Sequence, residues 1–136
     1  DDAAKAEALT KELIKKYPNL SFIQGCAQTD AMGAAKAIEE AGLADKIHLG
    51  GAGLVSASGQ YIESGAVDIL GFWDPADAGY AINKMLVWLL DGKNDQFVDG
   101  MNLGLPGYEN CKLDGKVFYG QAWHFATIDN YKEFNF

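Results

Sequence analysis

Three short stretches hold the residue types that could do chemistry: "CAQTD" at 26–30, "GGAG" at 50–53 and "WDP" at 73–75. Each follows a short apolar run and precedes a segment of helical spacing, so each reads as a turn from a strand into a helix. Ligands of open parallel sheets bind beyond the carboxyl ends of the strands, where loops and helix N-termini converge. Gln28, Thr29 and Asp30, the Gly51–Gly53 backbone, and Trp73 with Asp74 would then share one edge. An indole face packs on the C–H face of a sugar ring, while carboxylates and amides take its hydroxyls as paired hydrogen bonds. Every one of these residues also has a plainer role open to it. Asp30 could cap the helix after it, Trp73 could be core, and Asp74 before Pro75 could be turn chemistry. Trp88 and Trp123 read as core.

Other chemistries lack their residues. His48 and His124 are the only histidines, with no acidic or cysteine partner at a ligand-like spacing, so no metal site is expected. His48, inside a strand run, reads as a core residue. No Gly-x-Ser-x-Gly elbow and no Gly-x-x-x-x-Gly-Lys loop occurs. "GGAGLVS" offers Gly51-x-Gly53 but has Ser56 where a dinucleotide fingerprint wants its third glycine. No catalysis and no cofactor is therefore expected. Cys26 and Cys111 are too few for a disulfide framework. They could pair with each other outside the cell or stay as two buried thiols.

The elements that must position those turns follow from periodicity. "AAKAEALTKELIKKYP" has Ala6, Leu9, Leu13, Ile14 and Tyr17 at helical spacing, stopped by Pro18. "LSFIQG", "KIHLGG" and "AVDILGFW" read as strands. "TDAMGAAKAIEEAG" reads as a helix capped by Thr29 or Asp30 and closed by Gly42; "SASGQYIESG" is a short helix or turn closed by Gly65. A longer helix, apolar on much of its surface, runs from about Asp77 to Leu90, and "KVFYGQAWHF" reads as one more strand. Helices alternating with short apolar strands predict a parallel α/β layer sandwich whose sheet is covered on both faces. Eleven basic against nineteen acidic residues give a net charge of -8. No basic patch exists for nucleic acid or for an anionic membrane surface.

At "AQTDAMGAAKAIEEAGL", "IHLGGAGLVSASGQYIESGAV" and "LGFWDPADAGYAINKMLVWLLDGK" the chain resembles the later part of type I periplasmic sugar-binding proteins, the extracytoplasmic receptors of ABC importers. The rhamnose-binding and autoinducer-2-binding branch is nearest, with its Trp-Asp or Trp-Asn pair at this crossover and an ending much like "TIDNYKEFNF". The resemblance implies an incomplete two-lobed α/β fold, mostly second lobe plus crossover elements of the first. Residues 1–74 would be second-lobe βα units, 75–105 a helix and strand returning to the first lobe, and 106–136 a C-terminal strand and tail. Gln28 and Asp30 would reach the ligand from the second lobe, Gly33 and Ala35 would open the helix that faces it, and Trp73 and Asp74 would sit on the third crossover. The partners implied are a small sugar or sugar-like signal and the membrane permease of an ABC importer, with no nucleic acid. The location implied is periplasmic, or an extracytoplasmic lipoprotein. A C-terminal fragment of this kind would leave the apolar helix 77–90 exposed and prone to self-association. The effector domain of a LacI-type transcription regulator, which shares the fold, is the alternative; its crossover and ending are less like this chain's.

Overall fold

The computed structural model describes residues 2–136. Helix α1 spans Ala3–Lys16 because Asp2 starts it: one carboxylate oxygen accepts from the N–H of Ala4 at 3.0 Å and of Lys5 at 3.1 Å. The other helices are α2 (Gln28–Glu40), α3 (Val55–Glu63) and α4 (Pro75–Leu90). All three stop alike. Gly42, Gly65 and Gly92 stand two residues past the last helical residue at φ +64, +81 and +70, where a side chain would be strained. The closing glycines are therefore legible stop signals.

Strands β1 (Phe22–Gly25), β2 (His48–Ala52), β3 (Ile69–Trp73) and β6 (Trp123–Ala126) form one sheet in the order β1-β2-β3-β6. β1 and β2 are parallel with Phe22 opposite His48; β2 and β3 are parallel with Gly50 opposite Ile69. The expected α/β class with a parallel sheet is what the chain forms. A separate hairpin pairs β4 (Lys112–Asp114) with β5 (Val117–Tyr119), Lys112 opposite Tyr119. "KVFYGQAWHF" is thus two strands, β5 and β6, broken at Gly120–Ala122. The strand expected before residue 105 reduces to a single bridge between Met101 and Cys111.

The chain divides into two units, one running up to Phe72 and resuming at Phe125–Phe136, the other Trp73–His124. In the first unit α1 packs on α2, and α2 on α3 and on β1 and β2. Its core holds Ile38, Leu49, Ile62 and Leu70, all 0–1% exposed. Burying each contributes about 1.5–3 kcal/mol. The tail belongs to this core: Phe134 and Phe136 meet the Phe72 ring edge-on at 5.0 and 5.5 Å. The sheet is covered on one face only in this unit, contrary to the sequence expectation. Leu70 and Phe72 point into the core, while Phe22, Ile69 and Phe125 are exposed. An apolar strand alone does not reveal whether one or two layers cover it.

Across α1 and α2, Lys11 bridges Glu7 at 2.5 Å and Glu40 at 2.6 Å, and Lys36 bridges Glu7 at 2.8 Å and Glu40 at 3.8 Å. Hydrogen bonds from Lys11 and then Lys36 hold the Glu7 carboxyl below its ordinary value, and those to Glu40 and Glu7 raise the Lys11 ammonium.

The second unit is built on α4. Ala81, Met85 and Trp88 pack with Met101, Leu103 and Cys111 in one cluster that Phe97 and Phe118 complete. Its other side is equally apolar and uncovered: Ile82, Leu86, Leu89 and Leu90 are all more than half exposed. That explains a helix apolar on much of its surface. Both cysteines are free, Cys111 buried and Cys26 exposed, and burial pushes the Cys111 thiol up.

Candidate functional site

The turn after β1 folds back tightly. A Cβ on Gly25 would stand 3.0 Å from both Ala31 N and Asp30 Cβ, so glycine lets the first turn of α2 lie against the strand end. The N-cap of α2 is Ala27, which has no polar side chain, and Asp30 sits at the third helical position instead of capping as expected. Its Oδ2 reaches back to accept from Cys26 N at 3.1 Å and Ala27 N at 3.0 Å. This is the returning half of a capping box, and a carboxylate there also complements the helix dipole. Oδ1 of Asp30 and the whole exposed amide of Gln28 keep their hydrogen-bonding capacity among the described residues. Asp30 also lines an open depression of about 350 Å³ with Asp2, Lys5, Ala6, Leu9 and Ala27.

Gly33 and Ala35 are buried, and their burial gives them packing roles. A Cβ on Gly33 would lie 2.2 Å from Ala3 O and 2.7 Å from both Ala6 Cβ and Glu7 N, so glycine is what lets α1 and α2 touch. Ala35 is 0% exposed in the core. Neither offers surface to a ligand here; a small residue at helical spacing looks the same in sequence whether a helix or a ligand covers it.

The glycine turn after β2 has two of its donors spent. Gly53 N donates to Gly71 O at 3.2 Å and Ser56 N to Phe136 O at 3.2 Å. Gly51 serves strand pairing, since a Cβ there would meet Gly25 O at 2.8 Å. A phosphate cradle at this turn would need those amides free. His48, expected in the core, is exposed at the opposite end of β2: its Nδ1 lies 3.0 Å from Asp68 Oδ1, and Asp68 Oδ2 accepts from Leu49 N at 2.8 Å. Among the described residues no group of three or more His, Cys, Asp or Glu is gathered as a metal would need.

In the second unit, Asp74 is the N-cap of α4 with Pro75 at the first helical position. Its Oδ1 accepts from Ala76 N at 2.7 Å, which leaves Oδ2 without a partner among the described residues. Beside it Trp73 is 52% exposed, so the alternative that it is core does not hold. Trp123, read as core, is 55% exposed and stands edge-on to Trp73, ring centroids 5.5 Å apart at 84°. Sequence missed this neighbour because residues 73 and 123 are fifty positions apart and only the β3–β6 adjacency joins them. Trp88, read as core, is half-buried against the cluster on α4, edge-on to Phe97 at 5.9 Å. Tyr108 has its phenol raised, first by burial and then by the charge of Asp77.

The family described as periplasmic binding protein domain matches residues 1–94 of the chain. No curated protein matches it. Among solved structures, a sugar ABC transporter from Actinomyces odontolyticus is 22% identical with a TM-score of 0.86, over 100% of this chain and 44% of that one. An ABC transporter solute binding protein from Clostridium phytofermentas with bound L-rhamnose is 20% identical, TM-score 0.76, over 98% of this chain and 46% of that one. LsrB from Clostridium saccharobutylicum in complex with AI-2 is 20% identical, TM-score 0.75, over 99% and 46%. The chain thus spans less than half the length of each of these structures, and at such identities the likeness is one of fold.

Proposed function

The chain belongs to the periplasmic binding protein domain family, and from that premise we propose that it serves the solute-binding component of an ABC-type importer. It binds a small sugar or sugar-like signal, without catalysis, and delivers it to a membrane permease from the extracytoplasmic side. The observation that carries this reading is the Trp73–Asp74 pair. A half-exposed indole and a carboxylate with one oxygen unspent stand together at the carboxyl end of β3. An apolar plane with a charged acceptor beside it suits a pyranose or furanose ring, whose C–H face is apolar and whose rim is hydroxylated. Gln28 and Asp30, at the carboxyl end of the parallel strand β1, supply an amide and a second carboxylate of the same kind. Hydrogen bonds to charged acceptors contribute roughly 1.5–3 kcal/mol each, so a carboxylate of this kind can carry a sizeable part of the affinity for a small ligand. Gly33 and Ala35 act indirectly by seating α2 against α1 and the core.

No helix of the described residues is long and apolar enough to cross a membrane. The experiment is a thermal melt of the complete gene product against monosaccharides, autoinducer-2 and nucleotides. The proposal expects a rise in melting temperature with one or a few sugars or with the signal. A rise with nucleotides alone would contradict it.

A further inference from the structure

The sequence holds three Asp-Gly pairs, Asp91–Gly92, Asp99–Gly100 and Asp114–Gly115, and no Asn-Gly pair. An aspartate before a glycine is prone to cyclise onto the next backbone nitrogen, because no Cβ on the second residue shields that nitrogen. Tertiary structure decides which pair reacts, since the nitrogen must be free and the carboxyl able to swing onto it. We propose that Asp114 is a self-modification site, where Asp114–Gly115 converts to isoaspartate in the folded protein while the other two pairs are held. The proposal does not depend on sugar binding.

The two held pairs have both reacting groups engaged. Gly92 N donates to Leu89 O at 3.2 Å, and Asp91 Oδ2 holds Lys93 Nζ at 2.9 Å. Gly100 N donates to Cys111 O at 2.8 Å, and Asp99 Oδ1 accepts from Leu113 N at 2.7 Å. Asp114 differs. It is exposed, ends β4, and pairs with Val117 across the two-residue turn Gly115–Lys116. Gly115 has φ +62 and Lys116 no positive φ, which is the type II′ hairpin with glycine at its first central position. Among the described residues the Gly115 amide donates no hydrogen bond, and the Asp114 carboxylate has neither a hydrogen bond nor an ion pair. Nothing stands within 4 Å of where a Cβ on Gly115 would be, so the nitrogen is open to approach.

The step needs only water. The Gly115 nitrogen attacks Cγ of the protonated Asp114 carboxyl and gives up its proton, and a carboxyl oxygen leaves as water, closing a succinimide ring. Water then opens the ring. Cleavage of the N–Cγ bond restores aspartate. Cleavage between the nitrogen and the Asp114 backbone carbonyl carbon leaves the chain running through Cβ and Cγ, with the α-carboxylate free. Nothing is oxidised or reduced, and the final mass is unchanged. The added backbone atom falls at the end of β4, where Leu113 opposes Phe118 and Phe118 packs against the cluster on α4. A three-residue strand cannot take it up and keep its register, so the product is a loosened hairpin. Its free α-carboxylate is the group that isoaspartyl methyltransferases esterify with S-adenosylmethionine.

The test ages the complete gene product in mildly acidic buffer below its melting temperature. An isoaspartyl methyltransferase with radioactive S-adenosylmethionine then labels the isoaspartate, and peptide mapping places the label. The peptide holding Asp114–Gly115 is expected to carry about tenfold more label than either other Asp-Gly peptide, the factor supplied by one hydrogen bond that must break first. In urea the three pairs should take label at similar rates, because only the fold separates them. Asp114→Glu keeps the charge but must close a larger ring, and should remove the label from that peptide. Asp114→Asn should bring the label sooner, with ammonia leaving in place of water. Both variants keep Gly115 and therefore the turn. Label spread evenly over the three pairs in the folded protein, or concentrated at Asp91 or Asp99, would overturn the proposal. So would an Asp114 peptide that takes label only in urea, or one that is preferred as strongly in urea as in the folded protein.

Discussion

Alanine at Gly33 and alanine at Gly79 are the same substitution in two helix interiors, and the structure gives them opposite signs. At Gly33 the added Cβ meets Ala3 O at 2.2 Å and Ala6 Cβ and Glu7 N at 2.7 Å, none of them the movable end of a side chain. Ordinary contact needs the two helices to part by about an ångström. Overpacking of this kind costs about 1–3 kcal/mol, and backbone obstacles push it to the upper end. Alanine's better helix propensity returns about 1 kcal/mol, leaving a net loss of about 2 kcal/mol. At Gly79 nothing lies within 4 Å of the new Cβ, so only the propensity gain of about 1 kcal/mol remains. Urea unfolding reads both: with a slope near 2 kcal/mol per molar, the midpoint falls by about 1 M for Gly33→Ala and rises by about half that for Gly79→Ala. A Gly33→Ala protein as stable as the unmodified one would refute the close α1–α2 contact and the packing role assigned to Gly33.

Asp74 has two separable tasks. Asp74→Asn should keep the α4 cap and most stability yet weaken sugar binding, while Asp74→Ala should lose both, with about 1 kcal/mol off stability; urea unfolding and calorimetry on the same samples tell them apart. The Glu7 carboxyl is held low by Lys11 and Lys36, so its contribution is present above the ordinary carboxylate value near 4.5 and is lost as pH falls through the lower folded value. The protection factors of the α1 amides, taken relative to the intrinsic exchange rate at each pH, should therefore fall in acid or in high salt, and Glu7→Gln should abolish that extra sensitivity. The outer face of α4 should make this 136-residue chain self-associate; Leu86→Glu with Leu90→Glu should shift its sedimentation toward monomer.

The helices and the first three strands were legible because their signals are local. The closing glycines and Pro18 act within a few residues, and Leu49, Leu70 and Phe72 carry enough apolar bulk to mark strands. The hairpin was not legible: β4 and β5 have three residues each, too few for alternation to register, and Gly115 at φ +62 is a weak cue amid sixteen glycines. Asp30 shows how a correct residue can be given the wrong local role, since either an N-cap or a third-position carboxylate satisfies orphan amides near a helix start. Burial was the hardest property to read. His48 looked internal because its neighbours are apolar, yet strand ends are open to water whatever their composition. Gly33 and Trp123 depend on which element lies across from them, α1 in one case and β3 in the other, and only tertiary structure supplies that.

Native mass spectrometry of the complete gene product, equilibrated with a panel of monosaccharides and run beside Trp73→Leu and Asp74→Asn, tests the central claim most directly. The account predicts a one-to-one adduct of monosaccharide mass on the unmodified protein that is weakened in both variants. An unmodified protein that takes up none of the sugars, or variants that hold one equally well, would contradict it.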